Sequence, residues 1–585
     1  MSSVKDTAEL CGTAYVRGQA AGKLLASNLE ISFWGGINRD TGEIVDSHHT
    51  LHDQSLPGCI LAIPGGRGSC SGSAALLELL MNGKGPSALI FERREEILTL
   101  GVMVAEEVFG RSIPVVVLSP GDFKSLLSLH GLSLHVQDGR VSAQQGEVDY
   151  KGRDINYKSH VRLSELDQAF LDGRHGEACR IAMRVIIRMA DLLDASELIN
   201  VSQVHVDGCI YTGPASLAFA KLLREKGAKV RVPTSLNSIS IDQKRWRAQG
   251  VDVEFGEAAE ELAEAYVAMG ARPTYTCAPY QLDTAPGVGE QVAWAESNAV
   301  VYANSVLGAK TMKYPDFLDI FVALTGRAPN GGPHVESHRK ATLKVQVVQI
   351  DQSEIDDSFW PLLGYCVGLL SGNNIPAIAG LESTKPSNDD LKAFGAAFAT
   401  VCSAPMFHIG AITPEAATLE DALGPSYSTV EVGFDELIKA WTDLNGASSG
   451  SQIGLVSLGN PHFSFLEIRK LANLCQGRQR SKNVAVMVTC SRTIYSLADQ
   501  AGLTTKLEAF GVEFLTDICW CMITESTLPP GNKAVMTNSA KYAHYGPDLI
   551  GRGFSFGSLS ACVEAACEGV YDGERPKWLR AVRKA

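Results

Sequence analysis

The sequence predicts an α/β protein: a small N-terminal α/β domain, then a larger part built mainly on parallel sheets. Three observations predict it. Short β-branched runs alternate with helical-period segments along most of the chain. Polar clusters recur at the ends of those runs, where parallel sheets place their sites. At 585 residues the chain exceeds one core, and length alone implies roughly three to four domains.

In the first part, Cys59–Ile63 reads as a strand and Ala74–Met81 as a helix. Ala88–Phe91 follows as a strand, Ile97–Phe109 as a helix and Ile113–Leu118 as a strand. The stretch from Tyr15 to Leu51 carries Gly-rich β-like segments. From about Leu134 to Tyr157 the chain turns polar, with Gln144-Gln145-Gly146 and Lys151-Gly152-Arg153-Asp154, and reads as a linker. Beyond it, Cys179–Leu193 has helical spacing through Ile181, Val185, Ile186, Met189 and Leu192. Ile199–Val206 is strand-like, Ser216–Lys226 helical, and Lys229–Val232 and Thr342–Ile350 strand-like. Ile453–Leu458, Val484–Val488 and Val512–Leu515 complete the strands, and Gly289–Val300 reads as a helix.

Hydrophobic residues make up 45% of the chain and charged residues 20%, as in a globular protein with a packed core. Net charge is −13 and no long basic run appears, which argues against a nucleic-acid partner. No apolar stretch is long enough to cross a bilayer, so no membrane partner is expected, and Met1–Leu10 lacks a signal-peptide core. The 14 cysteines are scattered without a CxxC pair. That usage points to a reducing cytoplasm and to metal or catalytic roles before disulfides.

Two segments stand apart from packing. Gly65-Gly66-Arg67-Gly68-Ser69-Cys70-Ser71-Gly72-Ser73 follows a strand and precedes a helix. Such a turn offers backbone N–H groups and hydroxyls to an anion, although Ser and Gly are also ordinary helix-capping residues. Pro273-Thr274-Tyr275-Thr276-Cys277-Ala278-Pro279-Tyr280 puts a cysteine in a proline-bounded loop. Cys277, Cys402, Cys490, Cys519 and Cys521 each read either as small buried hydrophobes or as loop thiolates for an iron–sulfur cluster. Glu296 and Asn298 sit among small apolar residues, as a packing network or a ligand contact. Lys541, in Thr537-Asn538-Ser539-Ala540-Lys541-Tyr542, suits a carboxylate or a solvated turn equally. Asn237-Ser238-Ile239-Ser240-Ile241-Asp242 reads as a cap for a following helix or as part of a site.

Taken together these strings resemble the aconitase X family. Residues 1–135 resemble its swivel domain through Pro64-Gly65-Gly66-Arg67-Gly68-Ser69. Residues 136–160 are a linker, and 161–585 resemble its catalytic domain, an aconitase-like multi-layer architecture. The carrying strings are Gly173-Arg174-His175-Gly176-Glu177-Ala178, His205-Val206-Asp207-Gly208, Ser235-Leu236-Asn237-Ser238, Cys277-Ala278-Pro279-Tyr280, Ala295-Glu296-Ser297-Asn298-Ala299, Gly459-Asn460-Pro461-His462, Asp517-Ile518-Cys519 and the Lys541 string. In the family, two-chain members resemble phosphomevalonate dehydratases and fused members resemble cis-3-hydroxy-L-proline dehydratases. This chain is fused, and it carries Asn460 where the two-chain form usually has a cysteine.

The resemblance implies a hydro-lyase that converts cis-3-hydroxy-L-proline to Δ1-pyrroline-2-carboxylate with an iron–sulfur cluster of the [2Fe–2S] type. The implied ligands are Cys277 and Cys519, with Cys402 chosen third ahead of Cys490 and Cys521. Ser69, then Ser71, is the implied base, with Arg67 or the turn amides lowering its pKa. His205, Asp207, Asn237, Ser238, Glu296, Asn298, His462 and Lys541 are the implied substrate contacts. The partner is a small amino acid, and a monomer is compatible with the sequence. The alternatives are a dehydratase of another hydroxy acid such as 5-phosphomevalonate, and a cluster-binding regulatory protein without catalysis.

Overall fold

A computed structural model describes residues 9–47, 49–143, 159–447, 450–523, 525–531 and 533–580. The chain divides into two units. One comprises Met1–Val201, Thr212–Val232 and Tyr314–Gly331; the other comprises Ser202–Tyr211, Pro233–Lys313 and Gly332–Ala585.

The first unit is organised by an eight-stranded sheet. Its centre is parallel: Gln19–Ala26, Cys59–Ile63, Ala88–Phe91 and Val115–Val117 lie side by side. Cys59–Ile63, Ala88–Phe91 and Val115–Val117 are apolar on both faces, as a covered parallel sheet requires, whereas Gln19–Ala26 is buried only toward its end. Thr13–Val16 closes one edge antiparallel. On the other side a hairpin, Ser133–Gln137 with Arg140–Ser142, joins Gln19–Ala26 antiparallel, and Leu10–Cys11 pairs antiparallel with Arg140–Ser142 at the edge. The start of the expected linker is therefore sheet. Its period-2 signal is short, with Leu134, Val136 and Val141 buried between polar neighbours. The linker expected across 144–158 lies outside the described residues.

Helices Gly72–Met81 and Glu96–Phe109 pack on each other. Gly101 allows the approach, because a Cβ there would lie 2.7 Å from Ser73 O. Glu95 caps the second helix, its carboxyl accepting from the N–H groups of Ile97, Leu98 and Thr99. Lys229–Val232, expected as a strand, joins no sheet; Arg231 N donates to Ala323 O instead.

The second unit carries three largely parallel sheets. Thr234–Leu236, Val204–Val206 and Ala293–Trp294 form the first. His408–Ile409, Pro376–Ala379, Ala341–Val347 and Leu423–Val432 form the second. The third runs Val512–Thr516, Ala485–Cys490, Ser451–Leu458, Ala534–Thr537, Phe554–Phe556, with Val570–Tyr571 added antiparallel. The expected single strand Ile199–Val206 is two: Leu198–Asn200 pairs antiparallel with Arg327–Pro329 in the first unit, and Val204–Val206 is central here.

Helices Phe359–Ser371 and Asn388–Val401 pack closely on each other. A Cβ at Gly364 would overlap Phe394 O, and one at Gly368 would lie 2.9 Å from Phe398 O. These two glycines, one turn apart, let Phe394, Phe398 and Phe407 pack into one apolar cluster. Burying each such ring contributes about 1.5–3 kcal/mol.

Candidate active site

The order of the third sheet places the site. From Ser451–Leu458 the chain winds outward through Ala485–Cys490 to Val512–Thr516. It then returns to lay Ala534–Thr537 and Phe554–Phe556 on the opposite side. The winding direction reverses between Ser451–Leu458 and Ala534–Thr537. A crevice opens beyond strand C-termini at such a reversal. The loop leaving the first of those strands carries Asn460 and His462, and the second leads through Ser539, the N-cap, into the first turn of the helix Ala540–Ile550, which carries Lys541. They are tied by Ser539 Oγ donating to Asn460 O. Asp517, Cys519 and Cys521 leave the end of Val512–Thr516.

Three thiols converge here. Cys519 accepts hydrogen bonds from Cys277 and from Cys521, and these hold its thiol well below its usual range against the cost of burial, with Lys541 adding to the effect. Burial, and then the bond to Cys519, pushes Cys277 well above it; for Cys521 the bond to Cys519 comes first and burial second. The N–H of His462 donates to Cys277 Sγ at 3.2 Å, and Asn460 Nδ2 donates to Cys521 Sγ at 3.7 Å. His462 is fixed by Thr276 Oγ1 at 3.3 Å and Ile518 O at 2.9 Å, and burial holds its pKa low.

A second chain of polar groups abuts the thiols. Lys541 Nζ donates to Glu296 Oε1 at 2.9 Å, and Asn298 Nδ2 donates to the same oxygen. Asn298 Nδ2 also reaches Cys277 O at 3.1 Å, and Tyr280 OH donates to Asn298 Oδ1 at 2.8 Å. Burial works against the Lys541 charge, but Glu296 and then Cys521, Cys519 and Cys277 push its pKa well above the usual value. The result is a buried cation beside three thiols.

Glu296 is not one turn inside a helix, as its segment suggests. It is the N-cap of Ser297–Tyr302, after the strand Ala293–Trp294. Its φ is +69°, and Tyr275 at +40° and Asp517 at +71° share the left-handed half of the map. Backbone strain in non-glycine residues gathers at functional sites.

His205 and Asp207 end the strand Val204–Val206, and Asn237 and Ser238 follow its parallel neighbour. His205 Nδ1 meets Ser235 Oγ at 2.8 Å, and burial holds its pKa down at about 3, so the ring is neutral. Asn237 Nδ2 donates to Asp207 Oδ1, and Asn237 Oδ1 accepts from Ser238 N at 2.7 Å. Ile239 N donates to Asp517 O, which links this pair to the loop carrying Cys519.

The structure does not bring Cys402 to the other thiols. It caps the helix Asn388–Val401, its thiol donates to Phe398 O at 3.1 Å, and it packs in the apolar cluster with Phe398 and Phe407. Its place in Val401-Cys402-Ser403-Ala404-Pro405, just before the polar loop at His408, is what singles it out in the sequence. Cys490 is likewise core, with Val488 and Phe514. The third thiol beside Cys519 is Cys521, and the Cys519-x-Cys521 spacing was the signal for it.

In the first unit, Ser69 Oγ donates to Ser71 Oγ at 3.2 Å and accepts from Ser71 N at 3.2 Å. Arg67 is committed elsewhere: its guanidinium holds Asp46 at 2.9 Å and Glu30 O at 3.2 Å. That anchors the turn and leaves its backbone amides as the nearer influence on the serines. Sequence reading also missed Lys392, buried on a helix face, whose Nζ binds Glu467 and reaches His462 O at 3.3 Å. It missed the clamp of Arg492 on Asp517 as well, with both nitrogen–oxygen distances 2.8 Å.

The donor chemistry fits an iron–sulfur cluster. Three soft sulfurs converge in a buried pocket, with a lysine cation and N–H donors to balance thiolate charge. Among the described residues, no three His, Cys, Asp or Glu side chains stand pre-arranged around one metal ion. The thiols hydrogen-bond to one another instead. Also among the described residues, no helix is long and apolar enough to cross a membrane.

Comparison with known proteins agrees with this geometry. Residues 9–143 match the aconitase X swivel domain, 160–337 the first domain, 341–442 the second and 453–568 the third. A cis-3-hydroxy-L-proline dehydratase of Hypocrea jecorina is 59% identical, covering 97% of this chain and 97% of its own. One of Pseudomonas aeruginosa is 49% identical, covering 96% and 97%. The crystal structure of Thermococcus kodakaraensis aconitase X in its holo form is 30% identical and superposes with a TM-score of 0.62, over 70% of this chain and 100% of that one. With four consecutive domain matches, that shared fold and the thiol-lined crevice at the sheet reversal, the chain belongs to the aconitase X family.

Proposed function

We propose that this chain is a hydro-lyase that dehydrates cis-3-hydroxy-L-proline to Δ1-pyrroline-2-carboxylate. The observation that carries the reading is its near-full-length identity, 59% and 49%, to two proteins named for that dehydration.

The reaction has two hard parts: C2–H is a weak acid, and hydroxide is a poor leaving group. Cys277, Cys519 and Cys521 would hold an iron–sulfur cluster, for which we propose the [2Fe–2S] type, and that group supplies a Lewis acid for the departing hydroxyl. Lys541, fixed by Glu296, is placed to bind the substrate carboxylate and to stabilise charge that spreads into it as C2 loses its proton. Asn298 sets the Glu296 carboxylate, and Tyr280 sets Asn298. Neutral His205, with Asp207, Asn237 and Ser238, supports the adjoining strand ends. Ser69 is the proposed base, with Ser71 as its hydrogen-bond partner. The swivel and catalytic parts are proposed at 1–135 and 161–585. Fourteen free cysteines suit the reducing cytoplasm proposed as its location.

The test is to offer cis-3-hydroxy-L-proline, trans-3-hydroxy-L-proline and 5-phosphomevalonate separately to anaerobically purified protein. Turnover of the cis epimer well above the other two is expected. Turnover of phosphomevalonate alone would overturn the reading.

A further inference from the structure

We propose that Asn460 sets substrate class: its side-chain oxygen accepts a hydrogen bond from the ring amine of a cyclic amino acid. The proposal rests on the function above and adds the group that recognises the amine.

Asn460 is 5% exposed, and its Oδ1 is buried without a hydrogen-bond partner. Proteins seldom leave such an acceptor unmatched, and an exception at a site points to a ligand. The amide is not free to turn. Its Nδ2 faces Cys521 Sγ at 3.7 Å, and its backbone oxygen is held by Ser539. With Cys521 acting as a thiolate ligand, the sulfur has no proton to give. Only the NH2 end can then face it, and Oδ1 is left for another donor.

Asn460 lines a cavity of about 20 Å³ together with Phe463, Lys392, Glu467 and Lys541. That is room for about one small polar group rather than a whole ring. Lys392 is matched by Glu467, and Lys541 is held by Glu296 with further N–H donors left for the substrate carboxylate. The unmet need at Asn460 Oδ1 is for a donor.

A 3-hydroxyproline offers two donors, the ring amine and the hydroxyl. The hydroxyl departs in the reaction, whereas the nitrogen keeps an N–H through the enamine stage, so the amine is the donor that stays matched throughout. A phosphorylated hydroxy acid has no N–H. Binding one would leave Oδ1 buried and unpaired, and a site built around a hydrogen bond rejects ligands that cannot make it.

The experiment is calorimetric binding of L-proline and of cyclopentanecarboxylate to the iron-loaded protein. The two share a five-membered ring and a carboxylate and differ in the amine. Wild type should bind L-proline roughly tenfold or more tightly. Asn460→Leu should bring the ratio close to one, and Asn460→Asp, which strengthens the acceptor, should hold or widen it. Iron content and visible absorption establish that each variant is loaded. Equal binding by wild type, or an unchanged ratio in Asn460→Leu, overturns the assignment. If the leucine variant fails to load, a collapsed ratio in Asn460→Asp overturns it and a held or widened one supports it. Wild-type turnover of cis-3-hydroxy-L-proline is measured on the same preparation. No turnover would sink the functional reading itself; turnover with no amine preference would sink only the role of Asn460.

Discussion

The backbone N–H of His462 points at Cys277 Sγ across 3.2 Å, joining the loop after one sheet strand to a proline-bounded loop 185 residues earlier. An N–H directed at sulfur favours the thiolate. The bond therefore works against the burial that pushes the Cys277 thiol up, which suits the ligand role proposed for it.

The thiol arrangement separates two classes of cysteine. Cys277→Ser and Cys521→Ser should each lose most iron and the accompanying visible absorption, because an alcohol is a poor substitute for a thiolate on iron. Cys402→Ser should retain both, since its thiol is turned to Phe398 O in the apolar cluster. Iron loss in Cys402→Ser with retention in Cys521→Ser would reverse the assignment.

Ser69→Ala should lower kcat by roughly 10²–10⁴-fold with little change in KM, as removal of a general base does. Were Ser69 only a turn residue, the variant would turn over almost normally and lose about 1 kcal/mol of stability. Ser71→Ala, which removes the partner hydroxyl, should have the smaller effect.

Gly364→Ala should destabilise the protein by about 1–3 kcal/mol, because the new methyl group would press on Phe394 O, a backbone atom that cannot turn aside. Gly446, with nothing within 4 Å of a built Cβ, is the control, and alanine there should be tolerated. Equal urea midpoints for the two variants would contradict the close helix crossing.

His334 gives a pH test. Its Nδ1 meets Gln291 Oε1 at 2.6 Å, and burial, with Arg339 and Lys310 nearby, pushes its pKa down to about 3. The unfolded chain takes up this proton near pH 6.5 and the folded chain does not, so stability is full above that pH and falls as pH drops toward 3. The loss is about 1.4 kcal/mol at pH 5.5. His334→Gln should make the melting temperature less sensitive to pH between 6.5 and 5, and an unchanged slope would count against it.

Much of this molecule was legible in the chain. The strands at Cys59–Ile63 and Ala88–Phe91 are continuous apolar runs, and Ile453–Leu458 and Val512–Leu515 are apolar but for Gly454, Ser457 and Glu513; sheets covered on both faces demand such runs. The polar clusters that follow such strands were visible, and the structure brings His462 and Cys519 from them together with Cys277. The hairpin at Ser133–Ser142 was not, because half of each strand faces solvent and only three residues carry the period. The sequence did not show that Cys521, and not Cys402, lies beside Cys519. What distinguishes them is burial among aromatic rings against contact with another sulfur, and that depends on residues far away in the chain. Lys392 was invisible for the same reason: its partner Glu467 lies 75 residues on.

The left-handed backbone at Glu296 is a conformation that glycine adopts without strain, and glycine there would relieve about 1–3 kcal/mol. It would also take away the carboxylate that Lys541 and Asn298 hold. Position 296 therefore cannot relax alone: the strained backbone and the buried cation at 541 are coupled, and only a change at both positions would release either without leaving an unpaired charge.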